Sequence, residues 1–331
     1  MRRTFFHLAC FCLGILSACT VLQRASSIFP ETNKRFRYHD DVIVTINAPG
    51  EEGGVAKKEQ LLIFFALPNG NSTAWTFGKV KAPSDDWHFD IQHIGAQTRF
   101  LRAMMSDRDI IMVYLEAADK GWPQWRAKHA DNPALIHALV DTVASLYQNR
   151  RTGIMLSGHS GGGSLMFGFL NGVDSIPANI SRIAFLDADY SYDDSLLHGD
   201  KLVWWLRSNS GHALTVLAYN DSIALLDGKP FVSATGGTWY RTKKMLHRLQ
   251  QDFLFTVDSL GGIERYRALD GRITIWLKEN PERSIYHTVQ VEKNGFIESA
   301  CAGTVFEGRG YAYYGERAYS SFISSDSLAI H

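Results

Sequence analysis

Cysteine is nearly missing from the body of this chain. Three of its four cysteines lie at or before Cys19, which leaves Cys301 alone beyond it, so no disulfide framework is possible and the core must stand on packing. Beside Ala300, Ala302 and Gly303, Cys301 reads as a small buried residue rather than a nucleophile. An excess of one charge is missing too: 34 Lys plus Arg balance 34 Asp plus Glu, and no basic stripe invites nucleic acid. Metal-ligand spacings of the H-E-x-x-H or C-x-x-C kind are lacking, so no metal cofactor is expected, and Asp85-Asp86-Trp87-His88 reads as solvated loop. Internal repeats and a second domain boundary are also lacking. At 45% hydrophobic residues, the 331-residue chain can fill one large core.

The N-terminus has its own character. Arg2 and Arg3 precede an apolar run, Phe5 to Leu16, that is too short to span a bilayer comfortably, which is the layout of a secretory signal. Leu16-Ser17-Ala18-Cys19 resembles a bacterial lipobox, in which the cysteine is lipidated and becomes the new N-terminus; a plain signal peptide with chance cysteines is the alternative. Residues 1–18 are thus expected to be a lipoprotein signal peptide. Residues 19–38, mixed and without periodicity, read as a tether, and 39–331 as one domain. The expected destination lies across the inner membrane, lipid-anchored in the cell envelope.

From Val42 the chain alternates β-rich runs with helical patterns. Val42 to Ala48 and Leu61 to Leu67 read as strands joined by a hairpin connection over Gly50 to Lys58; the second, LLIFFAL, suits a strand buried on both faces. A helix near Ile91 to Met105, a strand at Ile110 to Leu115, a helix from Pro133 to Tyr147 and a strand at Gly153 to Ser157 follow. Further strands are expected at Arg182 to Leu186, Leu214 to Tyr219 and Ile273 to Leu277, with a helix near Trp239 to Phe253 in the long excursion Gly228 to Asp270. The alternation predicts an α/β fold with a mostly parallel central sheet and helices on both faces, whose ligands bind beyond the carboxyl ends of the strands.

Gly158-His159-Ser160-Gly161-Gly162 matches G-x-S-x-G, with the apolar run Ile154-Met155-Leu156 just upstream and a helical apolar pattern (Leu165, Met166, Phe169, Leu170) just downstream. A strand-to-helix turn this tight strains the serine backbone and requires glycines where it closes. It also aims the free N–H groups of the helix start at the serine hydroxyl. A phosphate loop is disfavoured, because the turn has no G-K-[ST]. On these residues the chain resembles the α/β-hydrolase superfamily from Val42 onward. The resemblance implies Ser160 as nucleophile after the fifth strand, an acid after the seventh and a histidine after the eighth.

With Val42 to Ala48 counted as the second strand, the seventh ends at Asn220-Asp221, so Asp221 is the expected acid. Asp187 and Asp189, after the sixth strand, and Asp227 remain rivals, and any of them could be an ordinary loop or N-cap residue. His287, ten residues beyond Leu277, is the expected base; His159 should point away from the nucleophile, and His212 precedes its strand. Gly161 and either Gly70 or Asn71, from the loop after the third strand, would supply the oxyanion-hole N–H groups, although that loop lacks the HGGG form of many lipases.

Trp75, Trp87, Trp122, Trp125 and Trp239 fall in predicted loops or at a helix start, where aromatic faces stack on sugar rings or pack under the loops. Three functions remain open. The first is hydrolysis of carboxylic esters through an acyl-enzyme, with acyl groups on carbohydrate as one substrate class. The second is a peptidase with the same triad. The third is a non-catalytic surface binding lipoprotein on a hydrolase fold. The expected partners are a small-molecule, carbohydrate or peptide substrate of ester type and, through the N-terminal lipid, a membrane.

Overall fold

The computed structural model describes residues 29–39, 41–50, 59–147, 151–326 and 328. Cys19, the signal peptide and most of the Gly50 to Lys58 connection lie outside these residues. In chain order the strands are β1 (Glu31–Tyr38), β2 (Val42–Pro49), β3 (Glu59–Ala66), β4 (Arg108–Ala117), β5 (Arg151–His159), β6 (Ile180–Leu186), β7 (Ala213–Tyr219), β8 (Leu225–Leu226), β9 (Lys229–Pro230), β10 (Thr256–Leu260), β11 (Ile263–Ala268) and β12 (Ile273–Lys278). The helices are α1 (Thr73–Phe77), α2 (Ile94–Met104), α3 (Trp122–Lys128), α4 (Asn132–Ser145), α5 (Gly163–Asn171), α6 (His198–Ser208), α7 (Thr238–Gln250) and α8 (Phe296–Cys301).

Ten strands form one sheet in the order β1-β2-β4-β3-β5-β6-β7-β12-β11-β10. Its centre, from β4 to β12, is parallel, while β1 and β2 on one side and β11 and β10 on the other run antiparallel to their neighbours. The alternation in β3 shows why the centre is parallel and covered on both sides. Leu62, Phe64 and Ala66 join one core with residues of α4, α5, α6 and α7, whereas Leu61, Ile63 and Phe65 join a second core with residues of α1, α2 and α8. Two buried faces demand apolar residues at every position of a strand, which is what LLIFFA supplies. Truncating a central side chain such as Phe64 to Ala would cost about 3 to 5 kcal/mol.

Several expectations are corrected or extended here. The residues Glu31–Tyr38, read as the end of a tether, form an edge strand paired with β2, and Glu31 is clamped by Arg99 at 2.8 Å and Arg102 at 2.7 Å. β2 and β3 are not a hairpin, because β4 lies between them. The excursion Gly228 to Asp270 holds the expected helix as α7 and adds β10 and β11, which extend the sheet beyond β12. Trp122 and Trp125, expected in loops or at a helix start, lie in α3 and are buried in the larger core, the packing reading of the two. No helix among the described residues is long and apolar enough to cross a membrane.

Candidate active site

The site begins with the turn after β5. Ser160 has φ of 54°, a left-handed conformation that is costly for a residue with a Cβ and persists only where its surroundings enforce it. The enforcement comes from close packing. A Cβ on Gly162 would lie 2.2 Å from the Ala66 carbonyl oxygen, and one on Gly163 would lie 1.6 Å from the Ala188 carbonyl oxygen. The absence of side chains there lets the start of α5 sit against the ends of β3 and of the β6 exit loop. Ser160 is held at the C-terminal edge of the sheet, where a parallel sheet presents its ligand site. It opens into a cavity of about 240 Å³ lined by Asn69, Pro123, Ser160, Gly161, Ala188 and Tyr190 among others.

His287 Nδ1–H donates to Asp187 Oδ2 at 2.5 Å, and Asp187 is fully buried. The carboxylate that meets the imidazole therefore comes from the β6 exit. Asp221, expected to fill that place, does not reach it: its Oδ2 accepts the Thr238 N–H at 2.8 Å, at the start of α7. The physical reason lies in the loops. Asp187 ends the β6–β7 ladder, its N–H still donating to the Leu217 carbonyl at 2.8 Å, and there adopts a left-handed φ of 49°, from which its side chain meets His287. Asp189 points elsewhere, accepting from the Thr242 hydroxyl at 2.8 Å, and burial pushes its carboxyl well above the usual range. Asp227, the remaining rival, lies in the turn between β8 and β9.

His159 is a residue whose part the sequence concealed. It is buried beside Ser160, its Nε2–H donates to the His287 carbonyl at 3.1 Å, and the two rings pack with centroids 4.5 Å apart. Burial and the neighbouring His287 hold its pKa well below the ordinary value, so it is neutral. Donation from Nε2 leaves Nδ1 as the bare nitrogen of that tautomer. His159 thus braces the segment that carries His287 against the serine turn.

The loop after β3 also departs from expectation. The Gly70 N–H donates to the Lys120 carbonyl at 2.7 Å, tying the loop to the connection after β4, and the Asn71 N–H closes the turn on the Pro68 carbonyl at 3.3 Å, so both expected oxyanion donors are already engaged. Asn69 is the residue of this loop that reaches the cavity, and its side chain occupies the space a Cβ on Gly161 would need, 2.0 Å from Asn69 Oδ1. Nearby, Trp75, His88 and Trp87 form a stack with centroid separations of 4.4 and 3.8 Å, and Trp87 is exposed. Cys301 is buried and its thiol is pushed up to about 12, the state of an inert core residue.

The strand order with β4 between β2 and β3, the strained serine between β5 and α5, and a histidine beyond β12 together define an α/β-hydrolase fold. No protein-family model matches the chain, and no curated protein matches it in sequence. Among solved structures it is similar to a thermostable esterase, with 12% identity and a TM-score of 0.42 over 76% of this chain and 55% of that one. It is similar to the siderophore hydrolase EstB from Aspergillus nidulans, with 10% identity and a TM-score of 0.44 over 84% and 95%. A Mycobacterium tuberculosis puromycin-hydrolyzing peptidase gives 12% and 0.38 over 86% and 41%. The chain spans little more than half the length of the first of these. Strand order and turn geometry, rather than these likenesses, define the fold.

Proposed function

We propose that the protein is a serine hydrolase of carboxylic esters in which Ser160 is the nucleophile, His287 the general base and Asp187 the acid. The observation that carries this reading is the strained Ser160 at the mouth of a cavity, with the half-buried His287, held by the buried Asp187, packed against the neighbouring His159. Asp187 selects the His287 tautomer with the proton on Nδ1, which leaves Nε2 free to take the serine proton and stabilises the imidazolium that forms. Ser160 attacks the ester carbonyl, the tetrahedral oxyanion is met by the Gly161 N–H and the Asn69 side chain, and the departing alkoxide takes the proton from His287 as the acyl-enzyme forms; water activated by His287 then releases the acid and restores Ser160.

The aromatic stack that ends in the exposed Trp87 lies beside Lys120, whose carbonyl fixes the same loop that carries Asn69. A flat exposed indole supports acyl groups on a carbohydrate as the substrate class. Labelling with a fluorophosphonate probe tests the reaction class: wild type should take one label and Ser160→Ala none, with turnover of an activated ester lost by about 10³-fold or more. Profiling ester against peptide substrates then separates an esterase from a peptidase. A wild-type protein that takes no label and cleaves neither class would overturn the assignment.

We also propose that Cys19 is lipidated and holds the protein in the cell envelope, a reading supported by Leu16-Ser17-Ala18-Cys19 after a short apolar run. Mass spectrometry of the mature N-terminus should show an acylated cysteine, and Cys19→Ser should release the protein from membranes.

A further inference from the structure

Asp221 is a buried carboxylate that the reaction above leaves unused. Its Oδ2 accepts the N–H of Thr238 at 2.8 Å, and the Trp239 N–H also bonds to this carboxylate. Gly237 makes that approach possible, since a Cβ there would lie 2.2 Å from Asp221 Oδ2. α7 therefore takes its N-terminal cap from a residue outside its own sequence, 17 positions upstream, and the positive end of the helix meets a carboxylate. The first residue of that helix faces two aspartates at once. Thr238 offers its N–H to Asp221 and its hydroxyl to Oδ1 of Asp187, the oxygen that His287 does not use.

We propose that Asp221 and Thr238 are positioning residues for the proposed acid: Asp221 fixes the start of α7, and Thr238 holds Asp187 with its second oxygen turned to His287. The proposal rests on the serine-hydrolase reading above. Asp187 has no rotational freedom in this arrangement, because one oxygen is occupied by a hydroxyl and the other by the imidazole. The titratable groups around Asp221 are Asp187, Asp189 and Tyr190 from the β6 exit and Tyr219 at the end of β7, with His287 facing Asp187; the start of α7 adds no ionisable side chain to this contact.

The two substitutions that break the link have opposite electrostatic signs. Thr238→Val removes a donor from Asp187, which makes its charge a stronger partner for the imidazolium, so the acid limb of the pH–kcat profile should move to higher pH. Asp221→Asn removes a nearby negative charge and should move the same limb to lower pH. Each should lower kcat by about 10-fold with little change in KM, while Thr238→Ser, which keeps the hydroxyl, restores most of the loss. A residue that served only as a helix cap would lower the melting temperature and leave kcat and the limb in place, and that result would overturn the proposal. So would an Asp221→Asn loss as large as that of Asp187→Asn, which would make Asp221 the acid itself. Should Thr238→Val not fold, Asp221→Asn decides alone, because it exchanges a carboxylate that accepts two helix N–H groups for an amide with a single acceptor oxygen and no charge, which weakens the link while leaving the helix start one partner. An active, fluorophosphonate-labelled wild type with unmoved variants removes only this link, whereas an inert wild type removes the hydrolase reading beneath it.

Discussion

The ends of β6 and β7 invite comparison. Each strand leads into a buried aspartate, Asp187 and Asp221, both shielded from solvent and both engaged with Thr238. Asp187 turns across the sheet edge to the imidazole, while Asp221 turns to the positive end of a helix. Burial and proximity to Asp187 push the Asp221 carboxyl up to about 6. The lesson is that burial and position after a strand do not assign a carboxylate its task. The group it faces does, and in this molecule the loop backbone at Asp187 selects that group.

The sharpest way to break the comparison is Asp187→Asn. An amide favours the wrong imidazole tautomer, so turnover should fall by up to about 10⁴-fold while the fold survives. Equal losses from Asp187→Asn and Asp221→Asn would erase the difference between the two strand ends.

Gly163→Ala acts on one end only. The new Cβ would be driven into the Ala188 carbonyl, next to Asp187, and the β7 exit would be untouched. Misplacing the acid by even a fraction of its hydrogen-bond length should lower kcat by about 10²-fold, read beside a melting curve that reports the overpacking itself.

A smaller effect concerns pH and stability. The folded-state pKa of Asp221 is raised, so the native state binds its proton more tightly than the unfolded chain does. Its contribution is fully present below the usual carboxylate range and is lost as pH rises through about 6. Urea titrations of wild type and Asp221→Asn at pH 4 and pH 7 should show the wild type losing ground by on the order of 2 to 3 kcal/mol over that interval. A constant difference between the two proteins would contradict it. The smallest effect is expected at Asp189: burial pushes its carboxyl well above the usual range and it faces Thr242 rather than His287, so Asp189→Asn should leave turnover near wild type.

These contrasts also explain what could be read along the chain. β3 was legible because two buried faces force an unbroken apolar run, and the Ser160 turn because the glycines that close it have no substitute. β1 and β10 were not: ETNKRFRY and TVDSL lie at the sheet edges, where charged and exposed side chains blunt further pairing and erase the apolar signal. His287, the proposed base, was named from order along the chain, and the structure sets it against a buried carboxylate. The choice of Asp187 over Asp221 did not, since both follow strands and their separation is decided by a backbone turn of φ 49° that no residue pattern announces. Gly70 and Asn71 were plausible donors by position, but their N–H groups are engaged by the Lys120 and Pro68 carbonyls, the first of which lies in a distant part of the chain.

The edge strand β1 has a consequence for reach. Glu31 is pinned to α2 by two arginines, so under the proposed lipid anchoring only eleven residues separate the membrane attachment at Cys19 from Glu31. Even fully extended, that leash spans about 40 Å. The catalytic cavity would then patrol a thin shell above the bilayer, and its substrates would have to be molecules that reside in, or are delivered to, that layer.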